Sequence, residues 1–175
     1  MDDETTLVEV HLPPPTGRSV VKVATELPTA KANVYEVVPG LLISEDPRDE
    51  KDMDALYQVA SVVIAVGGDY PRTHRVDVGK GRAFIRMEFE DGELPEERLL
   101  ALARIAADLI DAGDVVAWVC GAGINRSGLG AALTLRELTG CSGTAARITV
   151  QTMRPGALKS HQYRKYLDDL RPIEE

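Results

Sequence analysis

The chain has 175 residues, 44% of them hydrophobic and 27% charged, which gives one domain with a core of its own and excludes a disordered or fibrous polypeptide. Acidic residues outnumber basic ones, 28 to 20, for a formal charge of −8; this argues against a nucleic-acid partner, whose phosphates require Lys and Arg across a surface, but leaves room for a small anion site. The longest apolar or glycine stretch, Val115 to Ile124, is short of the ~18–20 residues of a membrane span, the opening Met-Asp-Asp-Glu lacks secretory-signal character, and two cysteines, Cys120 and Cys141, are too few for a disulfide framework, so a reduced, cytoplasmic compartment and no membrane partner are expected.

Residues 1–33 read as an N-terminal extension. Asp2, Asp3 and Glu4 open it, Pro13-Pro14-Pro15-Thr16-Gly17 breaks any regular element, and Leu7–Leu12 and Ser19–Thr25 are candidate short strands on either side of that break. From residue 34 to 172 strands and helices alternate. Val34–Val38 and Leu41–Ser44 flank Pro39-Gly40 and read as a strand pair around a tight turn. Asp52–Ala60 has helical spacing, and Ser61–Val66 is a β-branched run closed by Gly67-Gly68, the pattern of a buried strand. A polar, partly basic loop runs to Arg82. Phe84–Phe89 alternates Phe84, Arg86 and Glu88 against Ile85, Met87 and Phe89 and predicts a half-buried strand. Pro95–Ala112 opens with Pro, Glu96 and Glu97 and carries an apolar stripe from Leu99 to Ile110, so an amphipathic helix is expected. Val115–Val119 predicts another buried strand; Gly128–Leu138, Thr144–Met153 and Ser160–Leu170 predict helices. The alternation implies an α/β domain whose central, mainly parallel twisted sheet is flanked by helices.

The most informative stretch joins the strand ending at Cys120 to the helix that follows, through Gly121-Ala122-Gly123-Ile124-Asn125-Arg126-Ser127. A strand, a glycine-containing loop and a helix start gather backbone N–H groups into an anion cradle. Phosphate or another tetrahedral oxyanion held there has a sulfur beneath it, amides of residues 121–126 around it and a bidentate guanidinium across it. A sulfur in such a field is favoured as thiolate, the nucleophilic form, so Cys120 is a candidate nucleophile. The competing reading is a core strand ending in a core cysteine. Cys141, after Gly140, reads as an ordinary thiol, with a redox partnership to Cys120 as the alternative.

These residues carry a resemblance. Cys120-Gly-Ala-Gly-Ile-Asn-Arg126-Ser127 resembles the signature loop of cysteine-dependent protein tyrosine phosphatases, and the rest of the chain resembles the compact dual-specificity branch: Val38-Pro39-Gly40-Leu41-Leu42-Ile43-Ser44 its opening strand turn, Met53 to Val66 its helix and apolar strand, Phe89-Glu90-Asp91-Gly92-Glu93-Leu94-Pro95 its acid loop, and Arg154-Pro155-Gly156-Ala157-Leu158 its Arg-Pro segment. The segments follow family order over about residues 34–170. A signature loop this far along the chain is unlike the low-molecular-weight phosphatases. One departure stands out: the family usually has His before the cysteine, and this chain has Val119.

The resemblance implies a catalytic domain over 34–172 that hydrolyses phosphate monoesters on phosphoproteins, phosphotyrosine and phosphoserine/threonine not being separable, through a phosphocysteine intermediate. Cys120 is then the nucleophile, Arg126 the phosphate clamp, Asp91 the general acid, and Ser127 a hydroxyl serving the sulfur when it leaves. Read from chemistry alone, Glu90, Asp91 and Glu93 also fit a solvated acidic turn before a helix, with Glu93 or Glu90 as fallback acids, and Ser127 fits a helix-start hydroxyl. Arg154 either braces the loop from behind or is an exposed ion-pairing arginine. Arg72, His74, Arg75, Lys80 and Arg82 either form a solvated loop or line the pocket mouth. No lysine lies within Gly121–Asn125, which disfavours inositol lipids. No metal or cofactor is expected, since His11, His74 and His161 lack ligand spacing. Two alternatives remain open: a pseudophosphatase that binds phosphorylated partners without turnover, motivated by Val119, and an RNA 5′-triphosphatase, whose loop Gly123-Ile-Asn-Arg-Ser127 also resembles.

Overall fold

The computed structural model describes residues 34–67 and 81–174, and the backbone of two short strands before them. Those strands, β1 (Leu7–Val10) and β2 (Val21–Ala24), pair antiparallel as a sheet of their own, inside the two stretches with strand character. The main sheet has five strands: β3 (Val34–Val38), β4 (Leu41–Glu45), β5 (Val62–Ala65), β6 (Ala83–Arg86) and β7 (Val116–Cys120), in the order β3-β4-β7-β5-β6. Only β3–β4 is antiparallel, turned by Pro39-Gly40 with Gly40 at φ +84, where glycine carries no steric cost. The fold is α/β with a mostly parallel sheet flanked by helices.

Strand alternation divides the core in two. Leu41, Ile43, Ile64, Val66, Val116, Trp118 and Cys120 face one side, with α2 (Glu96–Asp111), α3 (Arg126–Thr139), α4 (Gly143–Met153) and α5 (His161–Asp169). Leu42, Val63, Ala65, Ala117 and Val119 face the other, covered by Met53 and Leu56 of α1 (Glu50–Leu56) and by Tyr57. α3 lies closest to the sheet and is buried almost all round. Its approach depends on Gly130, where a Cβ would overlap the Trp118 indole.

The structure corrects two expected boundaries. The strand expected over Phe84–Phe89 ends at Arg86. Met87 N–H donates to the carbonyl of Ala65, the last residue of its partner β5, at 2.9 Å, and the ladder ends there, although Met87 and Phe89 stay buried. The helix expected over Asp52–Ala60 runs from Glu50 to Leu56, because Asp49 caps it by accepting from Asp52 N–H at 2.8 Å. The basic residues Arg72, His74, Arg75 and Lys80 lie outside the described residues, so only Arg82 of that loop is placed, with its guanidinium 5.1 Å from the Tyr57 ring centroid. Among the described residues no helix is long and apolar enough to cross a membrane.

Candidate active site

β7, central in the sheet and bonded to β4 and β5, delivers Cys120 to the carboxyl end of the parallel strands, where open α/β sheets place their ligand crevices. Residues 121–125 then arch over to the first turn of α3. Nearly every carbonyl in this arch has a protein donor. Cys120 C=O accepts from Asp46 N–H at 3.1 Å and Gly123 N–H at 2.9 Å; Ile124 C=O accepts from Leu158 N–H at 3.0 Å, and Asn125 C=O from Leu129 N–H at 2.8 Å. Arg154 donates to the carbonyls of Gly123 (Nε, 3.2 Å) and Ala122 (Nη2, 3.4 Å), its guanidinium 4.2 Å from the Tyr35 ring centroid. Arg154 therefore braces the loop from outside. With the carbonyls held this way, the N–H groups of Gly121, Ala122, Ile124 and Asn125 have no protein acceptor among the described residues. Gly123, at φ +60, is required by space as well as conformation: a Cβ there would sit 2.8 Å from Glu45 N and the Ser44 carbonyl carbon.

Cys120 is buried at the base of this arch. Its thiol donates to the fully buried Ser127 hydroxyl at 3.1 Å, and Ser127 N–H donates to the sulfur at 3.4 Å. The sulfur thus lies among core residues and has polar partners in Ser127. Arg126 donates from Nη1 to Phe89 C=O at 2.9 Å, and its Nη2 lies 3.8 Å from where a Cβ on Gly121 would stand, so the guanidinium lies alongside the loop. Val119 packs fully buried on the opposite face of the sheet, and its side chain adds no polar group to the arch.

Asp91 is brought to the same place from the loop after β6. Its Oδ2 accepts from Asn125 Nδ2 at 2.9 Å, and Asn125 Oδ1 accepts from Ser160 N–H at 3.1 Å. The backbone N–H of Asn125 belongs to the arch, while its side chain spans the Asp91 loop and the start of α5. Of the three acidic residues here, Glu93 is turned back on its own loop, accepting from Glu90 N–H at 2.9 Å, and Asp91 reaches across. The residue sequence reasoning missed is Tyr163. Its hydroxyl accepts from Gly92 N–H at 2.8 Å and donates to Glu93 C=O at 3.0 Å. Burial pushes this phenol above its ordinary range, and negative charge at Asp91 and Cys120 adds to the shift, against the Gly92 N–H and Arg126. Both cysteines are free. Among the described residues no three His, Cys, Asp or Glu side chains converge as a metal site.

No protein-family model and no curated protein matches the chain. Solved structures do. "Tk-PTP in the active form" is 23% identical at a TM-score of 0.68, covering 78% of this chain and 96% of that one. Human DUSP28 is 22% identical at 0.61, covering 77% and 93%. The human tyrosine phosphatase-like serine/threonine/tyrosine-interacting protein is 16% identical at 0.63, covering 78% and 92%. The chain therefore has the fold of the dual-specificity-like protein tyrosine phosphatases.

Proposed function

We propose that the chain is a cysteine-dependent phosphatase that hydrolyses phosphate monoesters on phosphoproteins. The observation that carries this reading is the arch at Cys120: carbonyls taken up by protein donors, amide N–H groups left for a ligand, a buried sulfur on Ser127, and Asp91 joined to the same loop by Asn125. In this reading the thiolate of Cys120 attacks phosphorus. The S–P bond forms as the ester P–O bond breaks, and the departing oxygen takes a proton from Asp91. Loop amides and Arg126 stabilise charge on the transferring phosphoryl. Water then attacks the phosphocysteine and gives its proton to Asp91; the S–P bond breaks, inorganic phosphate leaves, and Ser127 donates to the released thiolate. Neither step calls on a metal or cofactor. The two free thiols fit a reducing, cytoplasmic setting.

A second reading, a phospho-binding module without turnover, is favoured by Val119, whose buried aliphatic side chain offers the loop no polar support. One experiment separates the two. Purified protein is expected to hydrolyse p-nitrophenyl phosphate, with loss of turnover in Cys120→Ser and inhibition by orthovanadate. Phosphopeptide binding by wild type with no turnover would establish the binding module instead.

A further inference from the structure

We infer that Tyr163 is a positioning residue for the general acid, its hydroxyl holding the Glu90–Glu93 turn in the form that aims Asp91 at the Cys120 loop. The inference rests on the phosphatase reading above.

Glu93 N–H donates to Glu90 C=O at 3.0 Å, which closes a four-residue turn with Asp91 and Gly92 at its centre. Gly92 stands at φ +97, the conformation that defines the third residue of a type II turn. The peptide between Asp91 and Gly92 distinguishes type II from type I: reversing it swings the Gly92 N–H to the other side of the turn, away from the Tyr163 hydroxyl. That N–H is the group the Tyr163 hydroxyl accepts at 2.8 Å, while the same hydroxyl donates to the next carbonyl at 3.0 Å. One oxygen therefore fixes two successive peptides immediately after the acid. The Tyr163 ring is fully buried in the main core, so the anchor cannot drift with the turn, and burial keeps the phenol in its protonated, donating form.

α5 reaches the acid by a second route. Ser160, its capping residue, holds Asn125 Oδ1 and so presents Asn125 Nδ2 to the Asp91 carboxylate. The backbone of Asp91 is set through Tyr163 and its carboxylate through Asn125, from the same helix. Among the described residues no charged side chain of α5 makes a hydrogen bond or ion pair with the arch, so its contribution is orientation. Misplacing a catalytic group by about 1 Å costs as much as ~10²-fold in rate.

Tyr163→Phe keeps the ring and removes both hydrogen bonds. The test measures kcat and KM of wild type, Tyr163→Phe, Asp91→Asn and the double variant on p-nitrophenyl phosphate, whose leaving group needs little protonation, and on phenyl phosphate, whose leaving group needs more, with orthovanadate inhibition as a check on the arch. The expected result for Tyr163→Phe is a kcat on p-nitrophenyl phosphate within about twofold of wild type and a loss of about tenfold on phenyl phosphate, smaller than that of Asp91→Asn. Vanadate inhibition is expected to be unchanged and the double variant no worse than Asp91→Asn. The ratio of the two substrates is independent of the folded fraction, so a destabilised variant still reports. Equal losses on both substrates, or a loss on neither, would overturn the inference. If Asp91→Asn discriminates between the substrates and Tyr163→Phe does not, the role of Tyr163 fails alone; if wild type shows no turnover, or Asp91→Asn does not discriminate, the phosphatase reading fails and takes this inference with it.

Discussion

Trp118 is fully buried, and its indole N–H donates to the Thr134 hydroxyl at 3.0 Å, which in turn donates to Gly130 C=O at 2.9 Å. Thr134→Val keeps the shape and leaves the indole N–H without an acceptor, a desolvation cost of about 1–3 kcal/mol. The expected outcome is a lower urea midpoint with an unchanged m-value; an unchanged midpoint would show that the bond contributes nothing net. The same contrast between local and distant partners decides which residues of the candidate site a sequence reveals. Cys120, Arg126 and Ser127 fall within one short run, so their chemistry and spacing are readable together. Asp91 is readable only once that run has given the fold, since an acidic turn before a helix is otherwise ordinary. Tyr163 meets Gly92 across 71 residues, and on α5 it repeats with Tyr166 and Leu167 as part of an apolar stripe. A stripe records burial and carries no trace of where a hydroxyl at its edge will dock.

The strands and helices were legible for the same reason the motif was: their signals are local. Periodicity locates β5, β7 and α2 to within a residue or two, because a parallel strand buried on both faces and a helix buried on one leave different apolar spacings. Boundaries set by partners were not legible. β6 stops where β5 stops, and α1 starts where Asp49 caps it. The packing of α4 on α5 is another such property. Gly143, first residue of α4, donates to Leu170 C=O at 2.9 Å, and a Cβ on it would overlap the Leu167 carbonyl oxygen, with the Leu170 Cβ 3.0 Å away. Backbone atoms cannot rotate aside, so Gly143→Ala must push α5 outward. Overpacking of this kind costs about 1–3 kcal/mol, and a fall in the thermal midpoint is expected. A midpoint equal to wild type would mean that α5 yields without cost.

Three tyrosines fasten the molecule across its length. Tyr57 donates to Ala83 C=O at 3.2 Å, Tyr163 to Glu93 C=O at 3.0 Å and Tyr166 to Glu96 Oε1 at 3.2 Å. Burial is the first cause that raises all three phenols; Arg82 opposes it at Tyr57, and the Glu96 carboxylate reinforces it at Tyr166. The unfolded chain therefore releases these protons first, at about pH 10. The stabilisation is whole below that pH and is lost as pH climbs through the higher folded values. Urea midpoints are expected to fall between about pH 9 and about pH 11, and a Tyr57→Phe/Tyr166→Phe variant to fall less steeply. Parallel curves would remove these hydroxyls from the account of alkaline stability. In the proposed phosphatase, the sheet, the two-sided core and these ties all serve to hold one sulfur under an arch of amides. The most direct measurement of that purpose is rapid acid quenching of the protein during turnover of an aryl phosphate, followed by mass spectrometry of its peptides. A phosphoryl group on Cys120, absent from Cys120→Ser together with turnover, is the expected result; turnover that persists in Cys120→Ser with no adduct on the wild-type sulfur would contradict it.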